Sequence, residues 1–115
     1  MLNSGIWARG YVRRCNLAGL SCVIASKGAS EAGAIYICIT MTGQKGRVLC
    51  PAPGPAYDEN GERNWSCPLG PEPVPLTEIE DYLARQKRFD PDIWIIDVDD
   101  KTGEALIEPS SIVQS

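Results

Sequence analysis

Five cysteines, at positions 15, 22, 38, 50 and 67, and no histidine limit the chemistry open to this chain. Without an imidazole it lacks the commonest general base, the commonest metal ligand and the usual near-neutral pH switch. A Ser-His-Asp or Cys-His arrangement cannot be assembled from this chain alone. No two cysteines are spaced C-x-x-C, so neither a zinc ribbon nor a thioredoxin-like site is signalled. The thiols read as buried, reduced, small hydrophobes. Catalysis would fall to Asp90, Asp92, Tyr57 or a cysteine, which makes an enzyme the least favoured class. No cofactor is indicated. Gly54 and Gly70 lie among prolines, which lack the amide N–H groups that a phosphate loop needs.

Two acidic stretches approach a metal-binding pattern and miss it. Asp97-Val98-Asp99-Asp100-Lys101 opens like a calcium loop, with Glu108 at the twelfth position. Lys101 then stands at the fifth ligand position and Thr102 at the glycine position. An acidic turn is the simpler reading. Asp58 to Glu62 fails in the same way, because Arg63 occupies the glycine position, and a turn on Asn60-Gly61 is the expectation.

Two further groups can make contacts. Arg13 and Arg14 lie in a first helix, and Arg85, Lys87 and Arg88 end a second. If both helices pack on one face of a sheet, Arg13, Arg14, Arg85 and Arg88 form a single patch for an anionic small molecule or nucleic acid. The alternative is a solvated helix face plus compensation of the helix dipole. Tyr57, Arg63 and Trp65 lie in a proline-rich loop, where aromatic and arginine side chains give contact area at little entropic cost. The alternative there is a loop that packs its own aromatics onto the sheet.

These groups depend on elements readable from periodicity. Residues 5–18 read as a helix, with Trp7, Tyr11, Cys15 and Ala18 on one face, Ser4 as N-cap and Gly19 closing the end. Residues 20–26 form a β-type run and 27–33 a turn. Residues 34–41 form the clearest strand, and 47–50 return from a hairpin loop at 42–46. These three strands suggest an antiparallel meander. Residues 51–75 hold seven prolines and read as a semi-rigid surface loop with a short strand at 64–67. Residues 77–89 form the second helix, opened by a Thr77-to-Glu80 capping box and ended at Asp90-Pro91. The nearly continuous apolar run at 93–98 fits a strand inside the sheet. Residues 105–108 read as a final strand and 109–115 as a loose tail.

At 115 residues the chain fits one domain, spanning 1–115. It can bury roughly two-thirds of its unfolded surface, so folding needs no metal or disulfide. A net charge of −4 argues against a nucleic-acid binder. There is no secretory signal pattern and no run near the ~20 apolar residues of a membrane span. A reducing cytoplasm is the expected compartment.

The segments PAPGPAYDENGERNW (51–65) and YLARQKRFDPDIWIIDVDD (82–100), with IWARGYVRRCNLAGL (6–20), resemble a family of small bacterial proteins. That family is mainly alphaproteobacterial and is known only as a domain of unknown function. The resemblance runs over roughly residues 6–108 and implies a bacterial cytoplasmic protein. It implies no activity, cofactor or catalytic residue.

The expected fold is α+β, a mostly antiparallel sheet of four or five strands with two helices packed on one face. The leading expectation for function is a non-enzymatic protein-binding or adaptor module. It would use the 51–73 loop (Tyr57, Arg63, Trp65) together with the corner at 85–90 (Arg85, Arg88, Asp90). The alternative is anionic-ligand or nucleic-acid binding through the arginines. The expected partner is another protein, with no membrane and no metal.

Overall fold

The structure, a computed structural model, describes residues 3–54 and 62–113. The elements run α1 (Ser4–Leu17), β1 (Ser21–Ser26), β2 (Ile35–Thr40), β3 (Lys45–Pro51), β4 (Trp65–Ser66), β5 (Val74–Pro75), α2 (Leu76–Phe89), β6 (Trp94–Asp99) and a short 3-10 turn at Pro109–Ser111. The fold is α+β, as the periodicity predicts, but the sheet has six strands. Their order is β1-β6-β2-β3-β4, with β5 also on β3.

The meander is only half formed. β2 and β3 make an antiparallel hairpin, whereas β6 inserts between β1 and β2. It runs antiparallel to β1 and parallel to β2. A parallel neighbour requires a crossover, and α2 supplies it. The apolar run at 93–98 therefore sits inside the sheet, as its composition suggests. Because β6 lies between β1 and β2, the 27–34 connection must bridge two strand spacings, about 10 Å. It does so by passing over the start of β6. Ala29 N–H donates to the Asp92 carbonyl (2.9 Å), Trp94 N–H to the Ala34 carbonyl (2.8 Å), and the Trp94 indole N–H to the Ala29 carbonyl (2.7 Å).

The two helices lie on opposite faces of the sheet, which corrects the one-face expectation. The reason is visible in β2. Ile35, Ile37 and Ile39 point one way, into a cluster with Ala8, Tyr11 and Cys15 of α1 and with Trp94, Ile96 and Val98 of β6. Tyr36 and Cys38 point the other way, toward Ile79 and Leu83 of α2 and Val48 of β3. A strand apolar on both faces needs a layer on each.

Local chemistry shifts several boundaries. Asn3, not Ser4, caps α1, accepting from Ile6 N–H at 2.8 Å. Ser4 is buried and its hydroxyl donates to the Gly33 carbonyl at 2.6 Å. α2 begins one residue before the expected capping box, and no side chain caps it. The Gln44 carbonyl takes the Leu76 N–H instead (3.0 Å), so Thr77 has no capping role. Near the end of α1, the Asn16 side-chain amide donates to the Cys22 carbonyl (3.1 Å) and accepts from the Cys22 N–H (3.0 Å).

Residues 105–108 are not a strand. Asp100 turns its carboxylate inward onto its own loop, accepting from Thr102 N–H, the Thr102 hydroxyl and Ala105 N–H. Ala105 and Leu106 follow with φ of 49° and 60°, a left-handed conformation that must be held by its surroundings. Tyr11, fully buried, supplies one hold: its hydroxyl donates to the Ala105 carbonyl at 2.6 Å. The acidic stretch is thus a self-bonded turn. The tail is tied as far as Val113, whose N–H donates to the Trp65 carbonyl at 2.8 Å.

Candidate functional site

A densely built surface lies on the α1 side. Trp7, Tyr11 and Arg14 fall at i, i+4 and i+7, which stacks them along one side of the helix. The Trp7 and Tyr11 rings stack with centroids 5.0 Å apart and planes at 11°. Trp65, from β4, meets Trp7 at 5.5 Å and 50°. Two guanidinium groups then approach the same indole, Arg63 at 5.3 Å from the Trp7 ring centroid and Arg14 at 5.9 Å. Arg14 is also 5.9 Å from the Tyr11 ring. Distances near 6 Å are in the range of cation–π attraction. The group borders a depression of about 230 Å3, whose other walls include Glu62, Glu108, Ser110 and Ser111.

This arrangement unites residues that the sequence reading kept apart. Arg14 belonged to the arginine patch, and Arg63 and Trp65 to the proline loop. Trp65 is only 2% exposed, so it is the buried support of the cluster and not a contact residue: here the loop packs its aromatic into the core. The single arginine patch does not form. Arg13 and Arg14 stand on α1, Arg85 and Arg88 on α2, and the sheet lies between the two helices. The 85–90 corner is likewise on the far face from Arg63. Asp90 is occupied locally, accepting the Asp92 N–H at 3.0 Å. Tyr57 and the Asn60-Gly61 turn lie outside the described residues. Trp7 is the residue that sequence reasoning missed. The signal was present in its i+7 spacing to Arg14, but a tryptophan on an apolar helix face reads first as core.

Cys22, Cys38 and Cys50 are shifted away from reactivity, each chiefly by burial. Burial pushes Cys22 up to about 12, with Cys15 beside it adding to the rise. Burial pushes Cys38 up to about 12 as well, followed by the fields of Asp97 and Glu80. A reactive thiol needs the opposite shift. Tyr11 is also raised, chiefly by burial and then by its hydrogen bond with Cys15. All five cysteines are free. Among the described residues no group of three or more Cys, Asp or Glu is placed to hold a metal, and no helix is long and apolar enough to cross a membrane.

A pH dependence follows. Cys22 and Cys38 keep their protons in the folded chain over a range where the unfolded chain gives them up. Their contribution is complete below the ordinary thiol value of 9.0 and is lost as pH rises from there toward 12. Urea midpoints measured from neutral pH upward are expected to hold until about pH 9 and then fall. A Cys22→Ala/Cys38→Ala variant should show a shallower fall.

The model of the family "Protein of unknown function (DUF1491)" matches residues 2–108. The chain belongs to the DUF1491 family. Three solved structures share its DUF1491 fold. A crystal structure of a DUF1491 protein from Caulobacter crescentus CB15 is 29% identical, with a TM-score of 0.78, over 98% of this chain and 100% of that one. A solution structure from A. tumefaciens is 28% identical, with a TM-score of 0.76, over 99% and 96%. An NMR structure of a DUF1491 protein from Caulobacter crescentus CB15 is 29% identical, with a TM-score of 0.74, over 97% and 96%. A search of curated proteins gives no significant match.

Proposed function

We propose that this DUF1491 chain is a non-enzymatic binding module that captures a protein partner on the Trp7–Arg14–Arg63 surface. The observation that carries this reading is the pair of guanidinium groups at 5.9 and 5.3 Å from one half-buried indole, at the edge of a small polar depression. Tryptophan and arginine dominate the energetics of protein interfaces. Trp7 is held in place by Tyr11 and Trp65, so little freedom is lost when a partner covers it. The depression carries Glu62 and Glu108 besides the arginines, a mixed polarity that suits a protein surface better than a nucleic acid. Raised thiol pKa values and the lack of histidine favour binding over catalysis. Free cysteines suit a reducing bacterial cytoplasm, which is the compartment we assign.

The test is site-specific photo-crosslinking in bacterial cells. A photoreactive residue replaces Arg14 in one variant and Arg88, on the far face, in another. The expected result is a discrete protein adduct at position 14 that position 88 does not give, whatever else is captured there. The same adduct at both positions, or none at position 14 while thermal melts show both variants folded, would defeat the reading.

A further inference from the structure

The face of the sheet that carries α2 is only half covered. Ile79 and Leu83 of α2 pack on Cys38 of β2 and Val48 of β3. Among the described residues β1 and its side of β6 have no such layer, and Val23 is 55% exposed there. An open trough of about 330 Å3 runs between the Glu80–Ala84–Lys87 edge of α2 and this bare ribbon. Its floor is apolar, built from Ala25, Cys38, Leu83 and Ile95.

The charged groups along the trough are unevenly satisfied. Lys87 is engaged, its Nζ donating to the Ser26 hydroxyl at 2.8 Å. Glu80 of α2 and Asp97 of β6 line the trough, and Asp99 follows on the same face of β6. Among the described residues none of these three carboxylates has a cation in ion-pair range. Their mutual field is felt: burial first, then Asp99 and Glu80, hold the Asp97 carboxyl above its usual range. An apolar floor with uncompensated carboxylates at its rim calls for an aliphatic stem ending in a cation. A purely apolar or anionic occupant would bury carboxylates without partners, and a bare metal ion would leave the floor unused.

We propose that this trough docks an extended, lysine- or arginine-bearing segment of a partner protein, with the aliphatic stem on the Ala25–Ile95–Leu83 floor and the cation among Glu80, Asp97 and Asp99. The site lies across the sheet from the Trp7–Arg14–Arg63 surface and does not depend on it. With both occupied, the domain would bridge two partners.

The probe is the peptide acetyl-Leu-Lys-Leu-Lys-Leu-amide, titrated into the isotope-labelled full chain, with a glutamate-for-lysine analogue as control. The expected result is amide shifts centred on Ala25, Ile95 and Asp97, seen with the lysine peptide alone. Glu80→Gln and Asp97→Asn should each weaken binding roughly threefold to fivefold, the scale of a rim ion pair. Lys87→Met should tighten it. Both carboxylate variants are near-isosteric and should melt no lower than the parent. The proposal is overturned by equal shifts with the glutamate peptide, by shifts centred on Trp7 and Arg14, or by affinity indifferent to Glu80→Gln and Asp97→Asn. Concentration-dependent shifts at the same amides without peptide would assign the trough to a second copy of this chain and overturn it too.

Discussion

Trp94→Ala is expected to lower stability by about 4–6 kcal/mol, among the largest effects of a single side-chain truncation in the described residues. Removing a buried tryptophan costs about 3–5 kcal/mol through lost burial and the cavity left behind, and Trp94 is 1% exposed. Its indole N–H is also the partner of the Ala29 carbonyl at 2.7 Å, and losing that partner adds about 1 kcal/mol. A domain of this size has about 5–15 kcal/mol in total, so the variant should be marginal. Urea unfolding should show a much lower midpoint with the slope unchanged. Trp94→Phe separates the two contributions. It keeps most of the packing, loses the hydrogen bond, and should fall well short of the alanine variant's loss.

Gly28→Ala should cost about 3 kcal/mol although it adds only one methyl group. A Cβ at position 28 would land on the Asp92 carbonyl oxygen and the Ile93 carbonyl group. These are backbone atoms that cannot swing aside, so the crossing segment would have to lift from β6. Gly19→Ala is the control. Its φ is +90° with nothing within 4 Å, so only backbone strain of about 1 kcal/mol applies. A thermal melt comparing the two should rank Gly28→Ala far below Gly19→Ala. Equal losses would mean that the 27–33 segment does not lie on β6 as described.

Both effects arise where the sequence was least legible. Residues 27–33 read as a plain turn because glycine and serine are turn residues. Nothing in their spacing says that a later strand will slide beneath them. That depends on β6 pairing between β1 and β2, a contact between residues about 60 to 80 positions apart in the chain. The elements themselves were readable. The alternation of Ile35, Ile37 and Ile39, the 3.6-residue face of α1 and the apolar density of β6 all report local geometry. The same alternation held the clue to the opposed helices, because Tyr36 and Cys38 are apolar too and a sheet apolar on both sides needs two covers. The site was legible only in pieces. Arg14, Arg63 and Trp65 were each singled out, but their meeting at Trp7 requires β4 to lie beside α1, which no short-range pattern encodes. Tyr57 lies outside the described residues.

The Asn16–Cys22 pairing has a consequence for how the sheet ends. β1 is the outermost strand beside β6 and carries no charge and no proline, the usual guards against unwanted association. Asn16 offers one carbonyl and one N–H to the Cys22 backbone, as a neighbouring chain would. A single side-chain amide thus stands in for a seventh strand. It closes the start of an edge that would otherwise be a template for pairing with another molecule, and it does so without placing a charge beside the buried Cys22.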